Sequence, residues 1–158
     1  MNKKPYIIVF IFFIIDLISK QVITRLVNLG QSINVVDNFF YITYVRNKGA
    51  AWSILEDHRI LLLIITVIAL YLINKFMNKE KIDNKESFAY GMIIGGIIGN
   101  LFDRIIYHEV IDFIDFKIFG YDYPIFNLAD TFIVVGIIIL AIISIRKELH
   151  ERSKSRRK

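Results

Sequence analysis

The chain contains no cysteine. That absence removes a disulfide framework, a thiolate metal site and a cysteine nucleophile together. There is no G-x-S-x-G element to hold a serine nucleophile. Internal repeats and low-complexity segments are also missing, which argues against a transporter built on inverted repeats. Lys3 and Lys4 precede an apolar segment, as in a secretory leader, but no small-x-small cleavage site follows. Asp16 and Lys20 continue that segment on a helical spacing, so it reads as a retained helix.

Apolar residues are abundant. They make up 55% of the 158 residues, and isoleucine alone fills 33 positions. Soluble domains run at about 45–50% apolar with glycine counted in, and the mean hydropathy here is +0.51. The excess lies in four runs, about residues 6–27, 60–77, 88–107 and 130–146. A bilayer core takes about 20 helical residues, with a range of about 17–25. The second and fourth runs reach that length when flanking residues such as Lys75 and Asn127 to Asp130 sit in the interface. The expected fold is mainly α, a single membrane domain over 1–158 with four transmembrane helices.

Positive charge sets the direction of the spans. Seven of the twenty Lys and Arg residues lie between Arg146 and Lys158. Beside an apolar run, such a tail marks a cytoplasmic membrane end and not a nucleic-acid site. The N-terminus adds Lys3 and Lys4, and loop 74–87 adds Lys75, Lys79, Lys81 and Lys85. Thirteen positive residues thus fall on one side, which places both termini and the tail 147–158 in the cytoplasm. Segments 28–59 and 108–129 then face outward. Residues 33–45 are rich in β-branched and aromatic types, and 110–126 carry a Gly120 turn signal. A small extracytoplasmic β-sheet, or cradle, resting on the membrane is expected from their pairing.

Ionisable groups inside a bilayer are costly, so they mark a function or a paired contact. Asp16 and Lys20 share one helix face at a spacing of four, which fits a mutual ion pair or a direct role. Gly91, Gly95, Gly96 and Gly99 form overlapping G-x-x-x-G patterns, a signal of close helix packing with no chemical content. Beyond them, Asn100 neighbours Asp103 and Arg104. Those three form either a local Asp–Arg pair or a cluster that meets a peptide. Asp112 and Asp130 fall at the outward ends of the third and fourth runs. Asn127 can cap the fourth helix, and Asp130 near the positive helix end would then ionise more readily, leaving a shared proton on Asp112. Two carboxylates held close cannot both ionise easily. Such a pair can activate water and polarise a carbonyl. No Ser/Lys dyad is clearly placed in the outward region.

Five blocks in register resemble the lipoprotein signal peptidase (type II signal peptidase) family. They are D-L-I-S-K (16–20), R-N-K-G-A-A-W (46–52), G-N-L-F-D-R (99–104), V-I-D-F (110–113) and F-N-L-A-D (126–130). Together they span the central part of the chain. The resemblance implies an aspartic endopeptidase of the bacterial cytoplasmic membrane. It would cut diacylglyceryl-modified prolipoproteins just before the lipidated cysteine, at a site near the outer face. By position it implies Asp112 and Asp130 as the catalytic dyad. Asn47, Asn100, Arg104 and Asn127 would hold the substrate backbone or the dyad, with Asp16, Lys20 and Asp103 in support. Ala50, Ala51 and Trp52 would lie in a short extracytoplasmic amphipathic segment acting as a lid. In such an aspartic peptidase the attacking group is water, so no metal and no organic cofactor is needed. Membrane lipids and globomycin-type peptide inhibitors are the other expected partners, with the enzyme a monomer. Leu17 and Trp52 depart from the family's usual Gln and Phe, which bears on local packing.

Three rivals make different demands. A transporter with Asp16, Lys20 and Asp103 as a charge relay needs polar groups spread across the bundle, whereas a peptidase needs them at one end. A metalloprotease would draw on His108, Glu109 and Asp112, but a second histidine at ligand spacing is missing and His58 is distant. His108 and Glu109 are therefore given an interfacial place only. A non-enzymatic scaffold would tolerate loss of both Asp112 and Asp130.

Overall fold

The computed structural model describes residues 4–49, 55–56, 58–79 and 82–155. Four helices carry the apolar runs: α1 (Lys4–Leu26), α2 (Arg59–Lys79), α3 (Asn84–Ile106) and α4 (Leu128–Ser155). All are long and apolar enough to cross a membrane. Pro5 falls in the first turn of α1, where its missing N–H breaks no helical bond. Asp83 starts α3 by accepting from the backbone N–H groups of Lys85 and Glu86, both at 2.8 Å. Glu86 answers by accepting from the Asp83 N–H at 2.9 Å, completing a capping box. At the other end of α3, Arg59 Nε donates to the Arg104 carbonyl at 3.0 Å. The fourth helix begins earlier than the apolar run and continues through much of the basic tail. Lys, Arg and Glu are good helix formers, and Arg152 pairs with Glu148 one turn back at 2.6 Å.

α3 is the most buried helix and packs against α1, α4 and, less extensively, α2. Its glycines explain why. A Cβ on Gly91 would strike Ile8 of α1, and one on Gly95 would lie 2.8 Å from the Val9 carbonyl oxygen. A Cβ on Gly96 would strike the Ala129 carbonyl of α4, and Gly136 meets Ile93 and Ala89 in the same way. Small residues thus bring both neighbouring backbones into contact with α3. Gly95→Ala is expected to push α1 from α3 and cost about 1–3 kcal/mol. Thermal unfolding in detergent checks it, and an unchanged midpoint would refute the packing argument.

Four antiparallel strands, β1 (Ser32–Val36), β2 (Phe40–Asn47), β3 (Val110–Ile118) and β4 (Tyr121–Asp122), form a sheet in chain order at one end of the bundle. The strand-rich stretch 33–45 is divided by a turn in which Asn38 adopts φ 56°. Asn tolerates that left-handed conformation better than most residues. β2 pairs with β3, with Arg46 opposite Ile111 and Asn47 opposite Val110. Alternation along β3 then sorts its side chains. Ile111 and Phe113 pack with Ile23, Val27 and Tyr44 into a core beneath the sheet. Val110 and Asp112 take the opposite face.

Candidate active site

The polar residues of the bundle meet at its sheet end. Lys20 is 1% exposed, and its Nζ lies 2.8 Å from Asp16 and 2.9 Å from Asp103. The ion pair expected within α1 therefore exists, with a second carboxylate from α3. The local Asp103–Arg104 pair does not form. Asp103 turns inward to Lys20 and accepts the Ile111 N–H at 3.2 Å, whereas Arg104 donates to the Gly49 carbonyl at 3.0 Å. Adjacent helix positions point about 100° apart, so Asp103 faces Lys20 of α1 while Arg104 faces the cavity that α4 also lines. Gly99 leaves the space that the Asp16 carboxylate occupies.

From Lys20 the hydrogen bonds run to both remaining aspartates. Lys20 Nζ donates to Asn100 Oδ1 at 3.0 Å, so Asn100 presents its Nδ2 to Asp130, at 2.8 Å. Asn127 Nδ2 donates to Asn100 Oδ1 at 3.0 Å and to Asp112 Oδ1 at 2.7 Å. Asn127 also exchanges bonds with Asp130. Its Oδ1 accepts the Asp130 N–H at 3.0 Å, and its own N–H donates to Asp130 Oδ2 at 3.2 Å. This reciprocal cap starts α4, as the spacing of Asn127 and Asp130 suggested. Asp16 assists from α1 by accepting the Ala129 N–H at 2.9 Å. Asn47 Nδ2 completes the cluster by donating to Asp112 Oδ2 at 3.0 Å.

Both aspartates line a cavity of about 580 Å³. Its polar wall is Asn47, Asn100, Arg104, Asp112 and Asp130, and its apolar wall includes Tyr123 to Phe126 and Ile133 to Val135. The apolar wall went unnoticed in the sequence, because β-branched residues in a span look alike whether they face lipid or a cavity. Asp112 is 2% exposed. Burial, and then the charge of Asp130, raise its carboxyl from 3.8 to about 7, against the amide donors of Asn47 and Asn127.

A carboxyl raised in the fold contributes most below its unfolded value near 4 and loses that contribution as pH rises through about 7. The melting temperature of the wild type is expected to fall between pH 4 and 7. Asp112→Asn should flatten that slope. An equal slope in both proteins would assign the effect elsewhere.

His108 sits between α3 and β3 with φ 68°, exposed. Among the described residues, no three His, Asp or Glu side chains group as metal ligands. The proposed lid residues Ala50, Ala51 and Trp52 lie outside the described residues.

Four helices long and apolar enough to cross a membrane carry, at one end of the bundle, two carboxylates on the wall of a largely apolar cavity. The family model for signal peptidase (SPase) II matches residues 8–146. A bacterial membrane enzyme solved by the in meso method at 2.3 Å resolution superposes with a TM-score of 0.84. It is 36% identical, with 91% of this chain and 88% of that chain covered. A second such enzyme, at 1.9 Å resolution, gives a TM-score of 0.78 and 38% identity over 88% of this chain and 90% of that one. The chain belongs to the signal peptidase II family. It is a multi-pass bacterial membrane peptidase, of a family of aspartyl type that removes lipoprotein signal peptides.

Proposed function

We propose that this chain is an aspartic endopeptidase that cuts diacylglyceryl-modified prolipoproteins immediately before the lipidated cysteine. Asp112 and Asp130 are its catalytic pair, at the outer face of the cytoplasmic membrane. The observation that carries the reading is the single Asn127 side chain bonded to both aspartates at the wall of an apolar cavity. One side of that cavity suits a polar scissile peptide, and the other suits an apolar signal segment and acyl chains.

In this mechanism Asp130, as carboxylate, takes a proton from water as the water oxygen attacks the scissile carbonyl carbon. Asp112 gives its proton to the carbonyl oxygen. The tetrahedral intermediate then collapses, the C–N bond breaks, and the new amine takes up a proton from Asp130 while Asp112 recovers its own. Neither a metal nor an organic cofactor enters. Arg104, on the cavity wall beside the pair, holds the substrate backbone, and Asn47 steadies Asp112. Asn100 and Asn127 hold the aspartates. Asp16, Lys20 and Asp103 fix Asn100 and the start of α4 from behind. Thirteen positive residues on one side support a topology with both termini cytoplasmic.

The test uses purified protein in detergent, with chelator present, and a prolipoprotein supplied with and without its diacylglyceryl group. Cleavage of the modified form alone is expected, with mass spectrometry locating the cut before the lipidated cysteine. A globomycin-type peptide should block it. Equal cleavage of the unmodified form, or a cut elsewhere, would overturn the assignment.

A further inference from the structure

The turn between β3 and β4 breaks a conformational rule for no gain visible within the protein. Its two central residues, Phe119 and Gly120, have φ of 50° and 81°. Tight hairpin turns with both φ values positive favour Asn-Gly or Asp-Gly, because a bulky side chain is strained there. This chain follows that preference in its other hairpin, where Asn38 takes the left-handed position. At 119 it places phenylalanine, 106% exposed. Ile118 and Tyr121, paired across the hairpin, are also exposed. A lone exposed apolar residue needs no explanation, but a strained, fully exposed one among apolar neighbours does.

The location narrows what can cover it. Residues 123–126, directly after the hairpin, share the cavity wall with Val134 and Val135. Those valines lie six and seven residues into α4, roughly 9–10 Å along its axis from the first residue. Val134 and Val135 are themselves exposed, on a helix apolar enough to span a membrane. The hairpin therefore leads directly into a cavity wall that it shares with exposed apolar residues of α4. Lys117, two residues before Phe119, keeps its ammonium 5.2 Å from the Tyr41 ring and 3.5 Å from Asp122. An aromatic tip with a tethered cation behind it fits the boundary between acyl chains and headgroups.

We propose that the Phe119 tip is a membrane-inserting wedge that seats the β3–β4 hairpin in the lipid leaflet beside the cavity mouth. On the topology proposed above, that leaflet is the outer one. Its partner is bilayer lipid, and its effect is to hold the 123–126 wall where a lipid-borne substrate arrives.

The absence of native cysteine makes a direct test clean. Phe119→Cys carrying a nitroxide is reconstituted in vesicles of phosphatidylethanolamine and phosphatidylglycerol, with Arg152→Cys on the exposed polar end of α4 as the aqueous reference. The label at 119 should collide more with oxygen than with a water-soluble nickel chelate, the reverse of the reference. Equal nickel access at both sites overturns the wedge, as does a label that becomes immobile only on adding substrate. This arm requires no enzymatic activity, so it stands or falls apart from the peptidase assignment. The second arm rests on that assignment. Phe119→Gly relieves the strained φ, so its melting temperature in detergent should match or exceed the wild type. In vesicles its KM for the modified prolipoprotein should rise about three- to tenfold with kcat unchanged, as expected when interfacial apolar area is lost. Phe119→Trp should restore the wild-type KM. An unchanged KM for Phe119→Gly in vesicles would overturn the proposal.

Discussion

Asp112→Asn and Asp130→Asn should each yield a folded protein whose cleavage of a diacylglyceryl-modified prolipoprotein falls by about 10²–10⁴-fold, the usual contribution of a placed general acid or base. The fold should survive because asparagine keeps the shape and one acceptor oxygen. At 112, that oxygen can still receive the Asn127 amide, which bonds the native carboxyl at 2.7 Å. At 130, it can still receive the Asn127 backbone N–H and so preserve the start of α4. The two substitutions should also fail to add. Removing either member disables one proton transfer, so the double variant should be about as inactive as each single one. A gel-shift assay with melting temperatures measured in parallel checks the set. Activity within about tenfold of wild type in either variant would contradict the dyad, since that loss lies below the range for an acid or base.

Lys20→Met should cause the largest loss of stability, about 3–5 kcal/mol, because it leaves two buried carboxylates without their cation. Asp16 and Asp103 are each within 1% of full burial, and among the described residues neither has another cation at ion-pair distance. The same change removes one of the two donors that orient Asn100, Asn127 being the other, and so loosens the amide facing Asp130. Activity should therefore fall even at temperatures where the variant stays folded. Adding Asp103→Asn should recover part of the stability. The new amide still accepts the Ile111 N–H, now without an unpaired charge. Thermal and denaturant unfolding in one detergent measure both steps. A loss under about 1 kcal/mol for Lys20→Met would mean that the carboxylates are not dependent on it, contrary to the cost expected for a broken buried pair.

The glycine pattern of α3 and the charge spacing on α1 were legible because helical neighbours are fixed by sequence distance alone. Asp16 and Lys20 met as expected. The destination of Asp103 was not legible in that way. Its partner lies on another helix, and the choice between Arg104 beside it and Lys20 far from it depends on which side of α3 faces α1. The resemblance to a known family named Asp112 and Asp130, and the capping arithmetic of Asn127 and Asp130 held. Nothing in either pattern could reveal that the same Asn127 amide also reaches Asp112 from across a strand. The strand segments 33–45 and 110–126 stood out by composition. Their register was decided by β2 and β3 pairing across a bulge between Ile42 and Val45, which the β-branched pattern does not encode.

Residue type and spacing alone establish four apolar spans, a bias of positive charge toward one side of them, the glycine face that draws helices together and the residues available for chemistry. These are local properties, set by residue type and by the periods of helix and strand. The folded chain settles which carboxylates gather at the cavity wall, which pair with a buried lysine, and which apolar side chains line that cavity. Those outcomes depend on contacts between distant segments. There the low dielectric makes each buried polar group find a partner, and the packing of backbones allows only one arrangement of them.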